Sequence, residues 1–135
     1  MTSILTADKW IYSTLKNDST LTALITGVYI DNAPDTANYP FVTFSQVTSA
    51  PLRVVGATVV WYDELWQVAA HAVGQDYAGC KSIVDRVRAL LDKKTGSNTD
   101  GVVAQSIENS SFRFSNTENG IAIKTLGLEF AIKTQ

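Results

Sequence analysis

The chain has 135 residues, 45% of them hydrophobic, and carries a formal net charge of −2 at pH 7. This length and composition predict one globular domain over residues 1–135 with an ordinary hydrophobic core. The acidic balance offers no basic face for counterion release, so we expect no specific nucleic-acid binding. No stretch approaches the roughly 20 apolar residues that span a bilayer, so we expect no membrane role. The single cysteine, Cys80, excludes an internal disulfide.

The amino-terminal quarter of the chain predicts two short helices followed by a strand. Asp8 is a candidate N-cap for the first helix, and Asp18 or Ser19 begins the second. Gly27 stands where helices commonly end in a left-handed residue, and residues 28–30 then form a brief strand.

A loop is predicted next, over residues 31–38, and a strand after it. Aromatic and β-branched residues alternate over positions 41–47, which is the pattern of a half-buried strand. We expect this strand to break at Pro51, because proline has no N–H group to donate to a ladder.

The central segment predicts two further strands. Residues 53–62 form the first, with an irregularity at Gly56, and a tight turn at Asp63 and Glu64 ends it. Residues 65–73 form the second, and small and aromatic side chains line one of its faces. Small residues on that face would let a helix approach the sheet closely.

A long amphipathic helix is predicted after these strands. Its apolar residues recur at steps of three and four, which is the spacing of one helical face: Tyr77, Cys80, Val84, Val87 and Leu91. The polar, glycine-rich residues 94–101 follow, and we expect them to form a surface loop.

The carboxyl-terminal third predicts strands joined by a tight turn. Residues 102–107 and 112–114 are expected as short strands, and residues 121–132 as a last long one. Asn119 and Gly120 between them are a strong type I′ hairpin signal. The whole order predicts an α+β fold: a mostly antiparallel sheet with the long amphipathic helix and the short amino-terminal helices packed on one face.

The residues that could carry catalysis are few. A small intracellular hydrolase would use Cys80 as nucleophile, His71 as base and Asp63 or Asp76 as the orienting carboxylate. Cys80 nevertheless falls on the apolar helical stripe, where a thiol usually acts as a small core residue. One histidine and one cysteine cannot supply the ligands of a zinc site. We therefore expect no catalytic residue, no metal and no cofactor.

Three aromatic residues cluster around the acidic pair at positions 63 and 64. Alternation places Trp61 and Tyr62 on opposite faces of a strand, so both cannot belong to a one-sided core. One of them can be an ordinary exposed aromatic, or the group can be a protein–protein contact, since tryptophan and tyrosine are enriched at interface centres. A sugar-binding or small-molecule-binding module using Trp61 and Trp66 is a third hypothesis.

The order of these parts carries a resemblance to a known family. The first motif, a leucine, a short polar link and an exit through glycine into an apolar-tyrosine strand, comprises Leu15, Asp18, Leu21, Ala23, Leu24, Gly27, Val28 and Tyr29. A proline-led strand at residues 40–44 follows, and then the strand at residues 65–73 with the helical stripe behind it. From about Leu15 to the carboxyl end, the chain resembles the siphophage tail completion proteins, which are related in fold to the tail terminators.

This resemblance implies a structural virion protein without covalent chemistry. Such a protein caps the head-proximal end of the tail tube as a ring, usually a homo-hexamer of subunits that can be monomeric before assembly. The implied partners are copies of itself, the major tail tube protein and the head connector or stopper protein, with DNA passing through the ring lumen. The implied location is the tail–neck junction of the virion, after assembly in the host cytoplasm.

The resemblance also directs attention to the residues that would meet neighbours. Ring closure needs two different surfaces on each subunit that fit under rotation. The segments best placed to supply them contain the expected interface residues Arg53, Trp61, Tyr62, Asp63, Glu64 and Lys94. The alternative within the same biology is another neck component, such as a head–tail adaptor or stopper.

Overall fold

The structure is a computed structural model that describes residues 5–53 and 59–135. Its elements are, in chain order, α1 (Thr6–Lys16), α2 (Ser19–Thr22), β1 (Val28–Ile30), β2 (Phe41–Arg53), β3 (Val59–Val73), α3 (Ala78–Leu91), β4 (Gly96–Asn98), β5 (Gly101–Glu118) and β6 (Ile121–Thr134). The strands form one sheet in the order β1-β2-β3-β6-β5-β4. β1 runs parallel to β2, and the other neighbours are antiparallel.

The molecule is mostly β, so the expected α+β fold with a long amphipathic helix is wrong. About half of the residues lie in strands and about a quarter in helices. The longest described helix, α3, has 14 residues, whereas β3 has 15 and β5 has 18. The strands are longer than the alternation of apolar and polar residues predicts. Backbone hydrogen bonds continue the ladder between strands through polar positions where this alternation is lost.

The hairpin of β2 and β3 runs through both of its predicted interruptions. Pro51 lies inside β2, and Asp63 and Glu64 lie inside β3, so the predicted break and the predicted tight turn are both wrong. β1 accompanies only the first part of β2, which leaves Pro51 on a sheet edge where proline is tolerated. The predicted strand over residues 53–62 falls partly outside the described residues, and the irregularity at Gly56 lies wholly outside them.

The second hairpin, of β5 and β6, corrects two further expectations. The predicted loop at residues 94–101 contains β4, which turns directly into β5. β5 is one continuous strand rather than two short ones, and its register shifts between Val103 and Gln105 and again between Glu108 and Ser110. The predicted turn between β5 and β6 is confirmed, since Asn119 and Gly120 both have positive φ, 53° and 78°.

The helix starts show one correct and one wrong capping prediction. Asp18 caps α2, because its carboxylate accepts a 2.8 Å hydrogen bond from the Leu21 backbone N–H. Leu5, not Asp8, occupies the N-cap of α1, so Asp8 lies in the first turn instead. None of the described helices is long and apolar enough to cross a membrane.

The core lies between the helices and one face of the sheet. β3 contributes the side chains that the sequence placed on one face: Trp66, Val68, Ala70 and Ala72. α3 buries the apolar stripe against them, with Cys80, Ile83, Val84, Val87 and Leu91 inside. The opposite face of the sheet therefore bears the alternate residues of each strand, and these are the ones available for contacts outside the core.

Candidate assembly surface

Cys80 lies on the helix-covered side of the sheet. Its side chain is completely buried, and its thiol donates to the carbonyl oxygens of Ala70 and Lys124 at 3.6 and 3.4 Å. Burial raises the pKa of this thiol, which disfavours the thiolate that a nucleophile needs. The geometry is that of a core residue.

His71 projects from the opposite face of the sheet, since its strand neighbours Ala70 and Ala72 belong to the core. Its Nε2 and Nδ1 atoms are hydrogen-bonded to the hydroxyls of Thr43 and Thr125, at 2.8 and 2.9 Å. Burial lowers the pKa of the imidazole. The sheet thus separates His71 from Cys80, and the hypothetical dyad does not assemble.

The carboxylates proposed as orienting groups also lie elsewhere. Asp76 accepts a hydrogen bond from the Ala78 backbone N–H at 3.0 Å, at the start of α3. Asp63 is a half-buried residue of β3. Across the part of the chain that the structure describes, no group of three or more histidine, cysteine, aspartate or glutamate side chains could hold a metal ion.

Glu64 is buried and its carboxylate is occupied within the subunit. Its side chain points to the core face, where Oε1 accepts from Gln46 Nε2 at 2.7 Å and from Trp66 Nε1 at 3.1 Å. Oε2 accepts from Thr134 Oγ1 at 2.9 Å. Burial raises the pKa of Glu64 despite these bonds. Trp66 is itself part of the core, so it does not share a face with Trp61.

Trp61 stands on the face opposite the core, next to a small pocket. The ammonium of Lys133 lies 5.5 Å from the centroid of its ring, within the range of a cation–π contact. The pocket, of about 300 Å³, is lined also by Ala104, Gln105 and Gln135. The indole Nε1–H is buried and has no hydrogen-bond partner among the described residues. An N–H group that is buried without an acceptor destabilises the folded state.

Two more lysines border the same stretch of β5. Lys93 and Lys94 are exposed, and the Lys93 backbone N–H donates to the Ser106 carbonyl at 2.7 Å. They line a second pocket, of about 220 Å³, which shares Ala104 and Gln105 with the first. Ala104 sits at a β-bulge, where the ladder to β6 is locally interrupted.

We call this surface the basic edge and define it by six residues: Trp61, Lys93, Lys94, Ala104, Gln105 and Lys133. Within residues 5–53 and 59–135, no ion pair involves any of its three lysines. Asp63 stands directly opposite Lys133 in the register of β3 and β6. The edge remains net positive beside this one carboxylate, so it presents a charged, partly apolar surface to a partner.

The predicted interface residues are thus only partly together. Trp61 and Lys94 border adjoining pockets, Tyr62 and Asp63 are half-buried neighbours on β3, and Glu64 points inward. Arg53 ends β2, and its side chain lies outside the described residues. Local patterns do not bring Lys93 and Lys133 together: the pairing of β3 with β6 places Lys133 beside Trp61, and a contact with β5 places Lys93 at the adjoining pocket.

Comparisons with known proteins identify the family and the fold of the chain. The family model described as tail completion protein gp17 matches residues 9–120. No curated protein matches the chain. The fold is similar to that of a chain in the virion of a native gene transfer agent particle, with a TM-score of 0.74 and 16% identity over 92% of this chain and 90% of that one. An identity this low establishes likeness of fold alone.

Proposed function

Since the chain belongs to the tail completion protein gp17 family, we propose that it caps the head-proximal end of the phage tail tube as a ring, ending tail growth and joining tail to head. Family membership confirms the resemblance drawn from the sequence. It also makes the chain a structural protein of a bacteriophage tail, located in the virion. The ring, its hexameric state and its partners belong to the proposal.

The strand order supports a ring physically. β1 and β4, the outermost strands, have three residues each, so most of β2 on one side and most of β5 on the other have no further described strand beside them. Each subunit therefore has two different, partly open sheet edges at opposite ends. Surfaces of this kind suit heterologous, head-to-tail contacts, which give a closed ring when the rotation fits.

The proposed partners are further copies of the chain, the major tail tube protein and the head connector or stopper protein. The expected contacts with them include Trp61, Tyr62, Asp63 and Lys94. No covalent chemistry is proposed, because the thiol of Cys80 is used in the core.

Electron microscopy of particles that lack the protein tests this function. A terminating cap predicts tail tubes of uncontrolled length that remain detached from heads, and purified protein should restore defined tubes by binding one end. Normal tube lengths combined with unjoined heads would instead indicate an adaptor or stopper. Particles with normal, attached tails would contradict both roles.

A further inference from the structure

An acidic segment lies beyond the ends of β3 and β6 that are opposite the basic edge: it lines a pocket with Val73, the last residue of β3, and Ile121, the first of β6, whereas Trp61 and Lys133 lie near the other ends of these strands. Residues 31–38, which we call the acidic loop, follow β1 directly and include Asp31 and Asp35 but no lysine or arginine. Both aspartates are exposed, and no ion pair in the described part of the chain involves either of them.

We propose that the basic edge of each copy docks against the acidic loop of the next copy around the ring. This inference rests on the proposed function and specifies which surfaces meet. It commits to a second copy of the chain as partner because each subunit carries both charges, at opposite ends of one sheet. That arrangement makes the chain complementary to itself under rotation, as a heterologous interface requires.

The chemistry of the basic edge favours a carboxylate as the group that enters it. Lys133 supplies a cation beside the first pocket, and no ion pair in the described part of the chain involves it. An aspartate from a neighbour would be attracted by this ammonium and accept a charge-assisted hydrogen bond from it. A tryptophan beside a partly desolvated charged pair is also a typical interface hot spot.

Charge reversal tests the pairing. Lys93→Glu/Lys94→Glu makes the basic edge acidic, and Asp31→Asn/Asp35→Lys makes the acidic loop basic. Asparagine is chosen at position 31 because Asp31 has φ 63°, a conformation that asparagine tolerates. The matched control is Lys81→Glu/Lys124→Glu, which has the same net charge as the first variant but alters residues beside α3.

Ring formation on purified tail tubes is counted by electron microscopy for each variant. We expect each edge variant alone to lose ring occupancy by roughly tenfold or more, and an equimolar mixture of the two to recover it by alternating around the ring. The control should assemble like the wild type. Unaltered rings from either edge variant, or a mixture that fails although both variants unfold at the wild-type temperature, would overturn the docking.

The same assay distinguishes a failure of the docking from a failure of the proposed function. Wild-type protein that never caps a tube end would defeat the proposed function and the docking together. If the wild type caps tube ends and both edge variants cap them equally well, the docking would be wrong while the proposed function would stand. Lys133→Gln, which removes the ammonium beside the first pocket but keeps a polar side chain, should weaken ring occupancy by roughly tenfold; unchanged occupancy would overturn the placement of a carboxylate beside Lys133.

Discussion

Thr134, at the end of the last strand, donates a 2.9 Å hydrogen bond to the carboxylate of Glu64 on β3, 70 residues earlier in the chain. Gln46 on β2 donates to the other oxygen of the same carboxylate. One buried acid thus joins three adjacent strands at the level where the sequence predicted a turn. Because its hydrogen-bond partners are all neutral, its charge is disfavoured by burial and has no described counterion in contact.

We predict that Glu64→Gln removes a pH-dependent loss of stability. The pKa of Glu64 is raised above its ordinary value of 4.5 by burial, so the folded state binds the proton more tightly than the unfolded state. The contribution of Glu64 to stability is therefore most favourable below about pH 4.5 and becomes less favourable as pH rises through its folded-state pKa. Chemical unfolding between pH 4 and 8 should show this fall in the wild type and a flatter profile in Glu64→Gln. Glu129→Gln, on the opposite face of the sheet, serves as the control, and identical profiles for wild type and Glu64→Gln would contradict the assignment.

Gly127→Ala should destabilise the protein by about 1–3 kcal/mol, because a Cβ at position 127 would lie 2.3 Å from Cζ of Phe112. Combining it with Phe112→Leu should recover part of the loss, which a double-mutant cycle of unfolding free energies measures. The comparison is Gly79→Ala, whose added Cβ meets Ala72 at an ordinary 3.4 Å and gains helix propensity. Strictly additive effects at positions 127 and 112 would show that the ring does not cover Gly127.

Asp18→Ala should cost more stability than Asp18→Asn at neutral pH. Asp18 accepts hydrogen bonds from Nε and Nη2 of Arg86, at 2.9 and 2.7 Å, and also caps α2. Asparagine keeps the capping oxygen, whereas alanine loses the cap as well, which typically costs about 1 kcal/mol. Thermal unfolding at pH 7 shows which of the two variants is less stable.

The pH dependence of Asp18 has the opposite sign to that of Glu64. Hydrogen bonding to Arg86 lowers the pKa of Asp18 below its ordinary value of 3.8. The contribution of Asp18 to stability is therefore complete above about pH 3.8 and is lost as pH falls through its folded-state pKa. Asp18→Asn should lack this acid-dependent step, and an unchanged acid limb in its unfolding curve would argue against the pair.

Cys80 should resist thiol reagents in the native protein. Its burial and raised pKa leave little accessible thiolate, so modification by a chromogenic disulfide at pH 8 should proceed only as fast as the protein opens. Denaturant should speed the reaction to that of a free thiol, which gives the internal control. Rapid native labelling, with a rate that His71→Ala reduces, would revive the hydrolase hypothesis.

Local signals in the sequence located several elements correctly. The period-two face of Trp66, Val68, Ala70 and Ala72 entered the core, and the stripe around Val84 and Val87 was buried against it. Asn119–Gly120 formed its turn, and Asp18 capped its helix, because these depend on the conformations of a few neighbouring residues. The family resemblance likewise depended on the order of such local elements.

The errors arose where partners distant in the chain outweigh local preference. The sequence predicts a break at Pro51 and a turn at Glu64, yet Pro51 lies on a strand edge, and Gln46 and Thr134 donate hydrogen bonds to the buried carboxylate of Glu64. The sequence predicts a loop at the glycine-rich residues 94–101, although part of this segment forms β4 and pairs with β5. These corrections together turned a predicted α+β fold into a mostly β one.

The sequence by itself determined which residues are apolar, the start of α2 and the turn at Asn119–Gly120, and the order of its motifs carries the family resemblance. Only the tertiary structure decided how far the strands extend and which charges share a surface. Lys93 and Lys133 are 40 positions apart; Lys133 reaches the basic edge because β6 pairs with β3 and β5, and Lys93 reaches it through a contact with β5. Backbone hydrogen bonds between strands carry no side-chain signature, so the register they impose, and the opposition of basic edge and acidic loop, cannot be read along the chain.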